Sequence, residues 1–278
     1  MTLSSIAVHL DHSECCEART RFAARLARLH GSHLCGIVPT GVRERAGMQP
    51  PDAAAAATVA VSASLYLRRR AETVAHVFRC RVRGLGAASF DACLVDGRPI
   101  DAVVAHARAS DLLVVGQADA EAALDETARR LYEEAMLRAG GPVLILPRAG
   151  RFDAVADRLM IAWDGGREAA MSVRGALPIL REASQVTLVS LRRGREPALA
   201  PVAPETRRWL QRHGVAVVID ESTTVASVAD TLLERASALD ANLIVMGSYC
   251  HVRARERVLG GTTRELLAKS RLPLCMAH

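Results

Sequence analysis

The chain carries the same succession of signals twice, and that repetition limits what it can fold into more than any other feature. Ser5-Ile6-Ala7-Val8-His9-Leu10-Asp11 is a short apolar run ending in an acid, and Arg158-Leu159-Met160-Ile161-Ala162-Trp163-Asp164 is another. A helical pattern follows each, Cys15 to His30 and Arg167 to Ala183, and then a second apolar run, His33 to Val38 and Val186 to Ser190. Further on, Gly116 precedes Pro142 by 26 residues and Gly247 precedes Pro273 by the same 26. Equal spacing at matching landmarks is the mark of a duplicated unit. The acid and the glycine stand 105 residues apart in the first copy and 83 in the second. The excess falls in the loop Thr40 to Pro51, rich in Gly, Pro and Arg, and in the alanine-rich helical stretch from Asp52 into Phe78, where Asp52 is placed to cap the helix.

Within each copy short apolar strands alternate with helices. After the long helix come a strand at Ala92 to Val95, a helix at Ile100 to Ala109 and a strand at Asp111 to Val115 closed by Gly116. A helix at Glu126 to Ala139 and a strand at Val143 to Leu146 complete the copy. Such alternation predicts a parallel sheet with helices on both faces. The expectation is therefore an α/β chain of two tandem Rossmann-like domains, each with a five-stranded parallel sheet. The first spans residues 1–148, a linker without periodicity occupies 149–157, and the second spans 158–278.

Composition narrows the function. No apolar run approaches the roughly 20 residues that span a bilayer, and Met1 to Ser5 carries no basic segment leading into an apolar one. A cytoplasmic protein without membrane contact is the expectation. The seven cysteines are odd in number and irregular in spacing, which does not read as a disulfide framework. The net charge of +6 comes almost wholly from arginine, since Lys269 is the only lysine. A basic balance can signal nucleic acid. Here the arginines are spread over helical stretches, and aromatic residues make up only 3% of the chain, leaving little to stack on bases. Solvated helix faces are the preferred reading, and no nucleic-acid partner is expected.

The chemistry concentrates between Asn242 and Glu265. Leu243 to Met246 reads as a buried strand, Gly247 ends it, a loop follows, and Gly260-Gly261 runs into Thr262, which with Glu265 has the spacing of a capping box. Strand, glycine-punctuated loop and helix N-terminus together point backbone N–H groups and the positive end of a helix dipole at one spot, which suits phosphate. Glycines after a strand also serve ordinary turns. The spacing Gly247-x2-Cys250-x9-Gly260 is neither the P-loop nor the dinucleotide fingerprint. It resembles the nucleotide loop of the universal stress protein family, Gly-x2-Gly-x9-Gly followed by a small or hydroxyl residue. In tandem members that loop ends Gly-Gly-x-Thr, as Gly260-Gly261-Thr262-Thr263 does. Cys250 departs from the pattern, standing where the family has its second glycine.

The resemblance implies an adenine nucleotide, ATP with or without Mg²⁺, bound in the second half, and an intramolecular pseudo-dimer with the closing strands, Val143 to Leu146 and Leu272 to Ala277, near its contact, from which a homodimer could also be built. It implies Asp164, with Ala162 and Trp163 beside it, at the ribose or base, and Val189 against adenine. Met246 and Gly247 would border base and sugar, and Cys250, Gly260, Gly261, Thr262 and Thr263 would meet the phosphates. His251, with Arg253, Arg255 and Arg257, could reach a triphosphate or simply be solvated. In the first half, Gly116, Asp119, Arg129 and Arg130 stand where Gly247, Cys250, Gly260 and Gly261 stand in the second. That loop is therefore expected to be degenerate, its Asp119 and Glu121 repelling phosphate. The implied function is a stress-response regulator that is not an enzyme, with at most slow, incidental hydrolysis. The alternatives are a nucleotide-free interaction or small-ligand module whose loop Cys250 disables, and a redox sensor using Cys250.

Other constellations carry less. His9, His12, Cys15 and Cys16, with His33 and Cys35, contain soft metal ligands but match no common zinc spacing, so no metal is expected. There is no Gly-x-Ser-x-Gly elbow and no His-Glu-x-x-His pair. Asp164-Gly165-Gly166-Arg167 lacks the serine-bearing loop of pyrophosphate-forming ligases of related fold, which argues against an adenylating enzyme.

Overall fold

The structure, a computed structural model, describes residues 2–42, 53–117, 126–150, 152, 155–193, 202–225, 227–248 and 261–278. The first half runs β1 (Ser5–His9), α1 (Cys15–His30), β2 (His33–Pro39), α2 (Ala53–Gly84), β3 (Ser89–Val95), α3 (Pro99–Ala107), β4 (Leu112–Gly116), α4 (Glu126–Arg138) and β5 (Val143–Leu146). The second runs β6 (Arg158–Ala162), α5 (Arg167–Gly175), α6 (Leu177–Glu182), β7 (Gln185–Arg193), α7 (Val202–Arg212), β8 (Val217–Thr224), α8 (Val228–Ala238), β9 (Leu243–Gly247), α9 (Gly261–Lys269) and β10 (Leu274–Ala277).

These elements form one ten-stranded sheet in the order β3-β2-β1-β4-β5-β10-β9-β6-β7-β8. Each half is a parallel five-stranded unit, and the two meet in a single antiparallel pair. Leu274 faces Ile145, Cys275 faces Leu144 and Met276 faces Val143. All eight residues of β5 and β10 are buried, as expected of closing strands that have become the centre of a continuous sheet.

The strand order dictates where the helices go. Right-handed crossovers from β1 to β2 and from β2 to β3 progress in one direction and put α1 and α2 on one face. The return to β4 reverses direction and puts α3 and α4 on the other. The buried residues divide accordingly. Phe22, Leu26, Ala75, Phe78, Val173 and Leu210 belong to one apolar cluster, and Val103, Met136, Leu232 and Leu266 to a second. Reversal points, between β1 and β4 and between β6 and β9, open crevices at the carboxyl ends of the strands.

One predicted helix is divided. The pattern from Arg167 to Ala183 gives α5 and α6, with Pro178 in the first turn of α6. Proline lacks the N–H that would continue the α5 ladder. At the junction, Gly175 lies so close to Pro142 of the first half that a Cβ on it would stand 3.0 Å from the proline ring. The first turn of α9 also differs from expectation. The helix starts at Gly261 rather than after Thr262, and Glu265 accepts a hydrogen bond from Ser227 Oγ at 2.5 Å across to α8.

Candidate functional site

The reversal point of the second half gathers most of the described candidate residues. Register sets Ala162 of β6 opposite Val189 of β7 on one side and Met246 of β9 on the other, so the three form one row at the strand ends. Their side chains belong to the core beneath α8 and α9. Trp163 turns to the opposite face. Its backbone N–H donates to Val189 C=O at 2.9 Å, and its indole Nε1 is buried without a partner among the described residues.

Beyond Trp163 the chain leaves the sheet. Asp164 is exposed, and its Oδ1 accepts the Gly166 N–H at 2.8 Å. Gly165 between them adopts φ of 78°, a conformation that glycine alone takes readily. This turn delivers the chain into α5. Gly247 is glycine because β9 abuts that helix: a Cβ there would stand 2.6 Å from Ala169 N and 2.9 Å from the Glu168 carbonyl carbon. The close approach that demands a glycine is that of protein backbone. Gly261, at the head of α9, is exposed, with no described residue within 4 Å of where a Cβ would go. Thr262 is half-buried and Thr263 buried in the same turn. Cys250, His251 and Gly260, together with Arg253, Arg255 and Arg257, lie outside the described residues.

The first half builds something different at the matching place. Arg19, on the buried face of α1 with Phe22, Ala23 and Leu26, is only 2% exposed. Its Nε donates to His9 C=O at 2.6 Å, and Nη2 pairs with Asp11 Oδ1 at 2.9 Å. The guanidinium lies against Gly116, where a Cβ would collide with it. Burial opposes the charge on Asp11. Arg19, His9 and the hydrogen bonds from Ser13 nevertheless hold its carboxyl well below the usual carboxylate range. Burial first, and the Arg19 charge second, push the His9 imidazole down to about 4, against the weaker pull of Asp11. An internal cation thus occupies the crevice between β1 and β4. In the second half the residue eight positions after the strand-end acid is Ser172, whose Oγ accepts the Ala277 N–H at 2.7 Å. Arg19 was readable as an arginine within an apolar helical stripe, though charge counts alone group it with the surface arginines.

A cavity of about 500 Å³ adjoins the Asp164 turn on the α5 and α7 side. Trp163, Trp209, Arg174, Arg208 and Arg212 line it, with Glu205 the one acid among the described residues. Arg174 stands 5.9 Å from the Trp209 ring centroid, within cation–π range. The metal-ligand group considered from the sequence is not assembled. Ser5 and Ala7, not His9, lie opposite His33 and Cys35. Among the described residues, no helix is long and apolar enough to cross a membrane.

No family sequence model matches the chain, and no curated protein matches it either. Solved structures do. A universal stress protein from Archaeoglobus fulgidus DSM 4304 aligns with 99% of this chain and 96% of its own, at a TM-score of 0.74 and 12% identity. A protein of unknown function from Pseudomonas aeruginosa PAO1 aligns with 98% of this chain and 92% of its own, at a TM-score of 0.55 and 16% identity. The fold is that of a universal stress protein over nearly the whole chain, as the resemblance in the sequence implied.

Proposed function

We propose that the second half binds an adenine nucleotide, ATP with or without Mg²⁺, at the carboxyl ends of β6, β7 and β9, and that occupancy, not turnover, is what the protein uses in a stress response. The observation that carries this reading is the asymmetry of the two crevices. In the first half Arg19 fills the space against Gly116 and binds Asp11 internally. In the second half the corresponding Asp164 is exposed, and no arginine stands at the Arg19 position. Asp164 is placed for ribose hydroxyls. The N-terminus of α9, with Gly261, Thr262 and Thr263, offers backbone N–H groups and a favourable dipole for phosphate.

The test is a calorimetric titration of nucleotide-stripped full chain with Mg·ATP, alongside Gly261→Asp. The new carboxylate meets no obstacle among the described residues and suits a helix N-terminus, so the fold should hold while phosphate is repelled. Binding should weaken by roughly tenfold or more, the equivalent of about 1.4 kcal/mol. Absence of binding in the wild type, or equal affinity in the variant, would overturn the reading.

The cavity lined by Trp163, Trp209 and arginines favours a second reading, a module for a small anionic aromatic ligand other than a nucleotide. Its volume lies within the usual range for ligand pockets, about 300–1,000 Å³. Trp209→Ala would abolish such binding and leave Mg·ATP affinity unchanged.

A further inference from the structure

A cluster of soft and hard donors lies outside both crevices, on the outer strands of the first half. Cys35 of β2 stands opposite Asp91 of β3, and Ile37 opposite Cys93. Alternation along each strand therefore puts His33 and Cys35 on the same face as Ser89, Asp91 and Cys93. This is the α3 face, since Cys35 and Val95 pack against the cluster containing Val103 and Ala107. One donor atom each from Cys35, Asp91 and Cys93 lies within 4.8 Å of the others. The two sulfurs are 3.8 Å apart. His33 Nε2 faces Asp91 Oδ1 at 3.5 Å, while its Nδ1 is held by Ser89 Oγ at 2.7 Å.

Geometry decides what such a group suits. Two thiolates on one tetrahedral zinc, each at about 2.3 Å, are separated by roughly 3.8 Å, the edge of the tetrahedron. A disulfide instead requires about 2.05 Å, so these sulfurs would have to approach by nearly half their separation. Without an ion Cys35 Sγ faces Cys93 Sγ as a thiol, and a bound cation would take the place of the thiol protons. Hard cations such as Mg²⁺ and Ca²⁺ prefer all-oxygen shells, whereas thiolate with imidazole suits zinc-class ions. The Ser89 contact fixes the imidazole with Nε2 turned to the cluster, the kind of support that metal-bound histidines have. Both cysteines are half-buried, and Asp91 at the rim is exposed, leaving a route for an ion.

We propose that Cys35, Asp91 and Cys93 form a binding site for a thiophilic divalent cation of the zinc class, with His33 beside Asp91. It staples β3, the edge of the sheet, to β2.

The experiment uses the reduced, chelator-stripped full chain titrated with Co²⁺ as a spectroscopic probe and then with Zn²⁺ in competition. One Co²⁺ per chain should bind with a thiolate charge-transfer band and the visible bands of a tetrahedral ion, and Zn²⁺ should displace it. Cys35→Ser and Cys93→Ser should each weaken binding by at least roughly 100-fold, the upper end of what losing even an outer partner brings. Asp91→Asn, at an exposed position where misfolding is not a concern, should weaken it by at least roughly tenfold. Cys15→Ser should leave it unchanged. No thiolate band, a band that survives in the Cys35→Ser Cys93→Ser chain, or conversion of the pair to a disulfide in place of metal uptake would each overturn the proposal.

Discussion

Arg19 offers the sharpest test of the reasoning behind the filled crevice. Its guanidinium is almost wholly buried, with Nε on His9 C=O and Nη2 on Asp11, whose side chain keeps 34% exposure. Replacing Arg19 by methionine preserves the aliphatic stem but strands a carbonyl and a carboxylate. Removing one partner of a buried ion pair costs about 3–5 kcal/mol. Water can reach Asp11, so the lower end, about 3 kcal/mol, is expected for Arg19→Met. Asp11→Ala should cost more, about 4 kcal/mol, because the cation left behind has no access to solvent. The double variant should fall short of the sum by about 2 kcal/mol, since each change removes the penalty the other creates. Urea unfolding should be followed by circular dichroism and by tryptophan fluorescence in parallel. Trp163 and Trp209 both lie in the second half, so fluorescence reports that half, and circular dichroism reports both. A cost below about 1 kcal/mol for Arg19→Met, or additivity within about 0.5 kcal/mol, would refute the view that Arg19 replaces a ligand as the counter-charge of this crevice.

Two further expectations follow from the same contacts. With its folded value near 4 against an ordinary 6.5, the buried His9 stays neutral while the unfolded chain takes up a proton, so stability should decline as pH falls through that interval. The full loss is about 3 kcal/mol. Below it Asp11 continues the same trend, and His9→Gln should flatten the upper part of a stability–pH curve measured by urea unfolding. Gly247→Ala forces β9 and the first turn of α5 apart and should cost about 1–3 kcal/mol, seen as a lower melting temperature with a weaker response to Mg·ATP. An unchanged melting curve would show that the two elements do not meet as closely as described.

How far the sequence carried depends on the range of the signal. The duplication and the alternation of strand and helix follow from apolar runs and from landmarks such as Gly116, Pro142, Gly247 and Pro273, and the sheet order agrees with them, whereas the meeting of the closing strands is implied by the family resemblance and its antiparallel sense is seen only in the structure. The break between α5 and α6 was local too, in Pro178, but the apolar period runs through it and hid it. The row Val189–Ala162–Met246 was legible as strand ends, whereas the burial of its side chains under α8 and α9 was not, because that depends on helices distant in the chain. Cys35 meets Cys93 only through the register of two strands 58 residues apart, which no local spacing encodes. The cavity beside Trp163 is a product of side-chain packing between α5 and α7 and has no pattern at all.

On the proposed reading, in which only the second half takes a ligand, the two halves also show how a duplicated fold can do without one in the other copy. The crevice remains, because strand order and crossover hand create it whatever the side chains. Its strand ends still present carbonyls and an acid, and these need a counter-charge once no ligand supplies one. In the first half α1 provides it from within, through a residue that would be solvated if the helix were rotated by a third of a turn. In the second half the same helical position holds Ser172, which ties α5 to Ala277 at the end of β10. That bond reaches the strand joining the halves, since β10 pairs with β5. One position of one helix thus separates a crevice closed by an internal cation from one without it. It follows that Ser172→Arg would bring the Asp164 turn under an internal cation and suppress Mg·ATP binding. The substitution also breaks the bond to Ala277, so Ser172→Ala is the necessary control, expected to cost about 1–3 kcal/mol in stability while leaving affinity unchanged. If Ser172→Ala alone abolished binding, the internal-cation account of the asymmetry would be wrong.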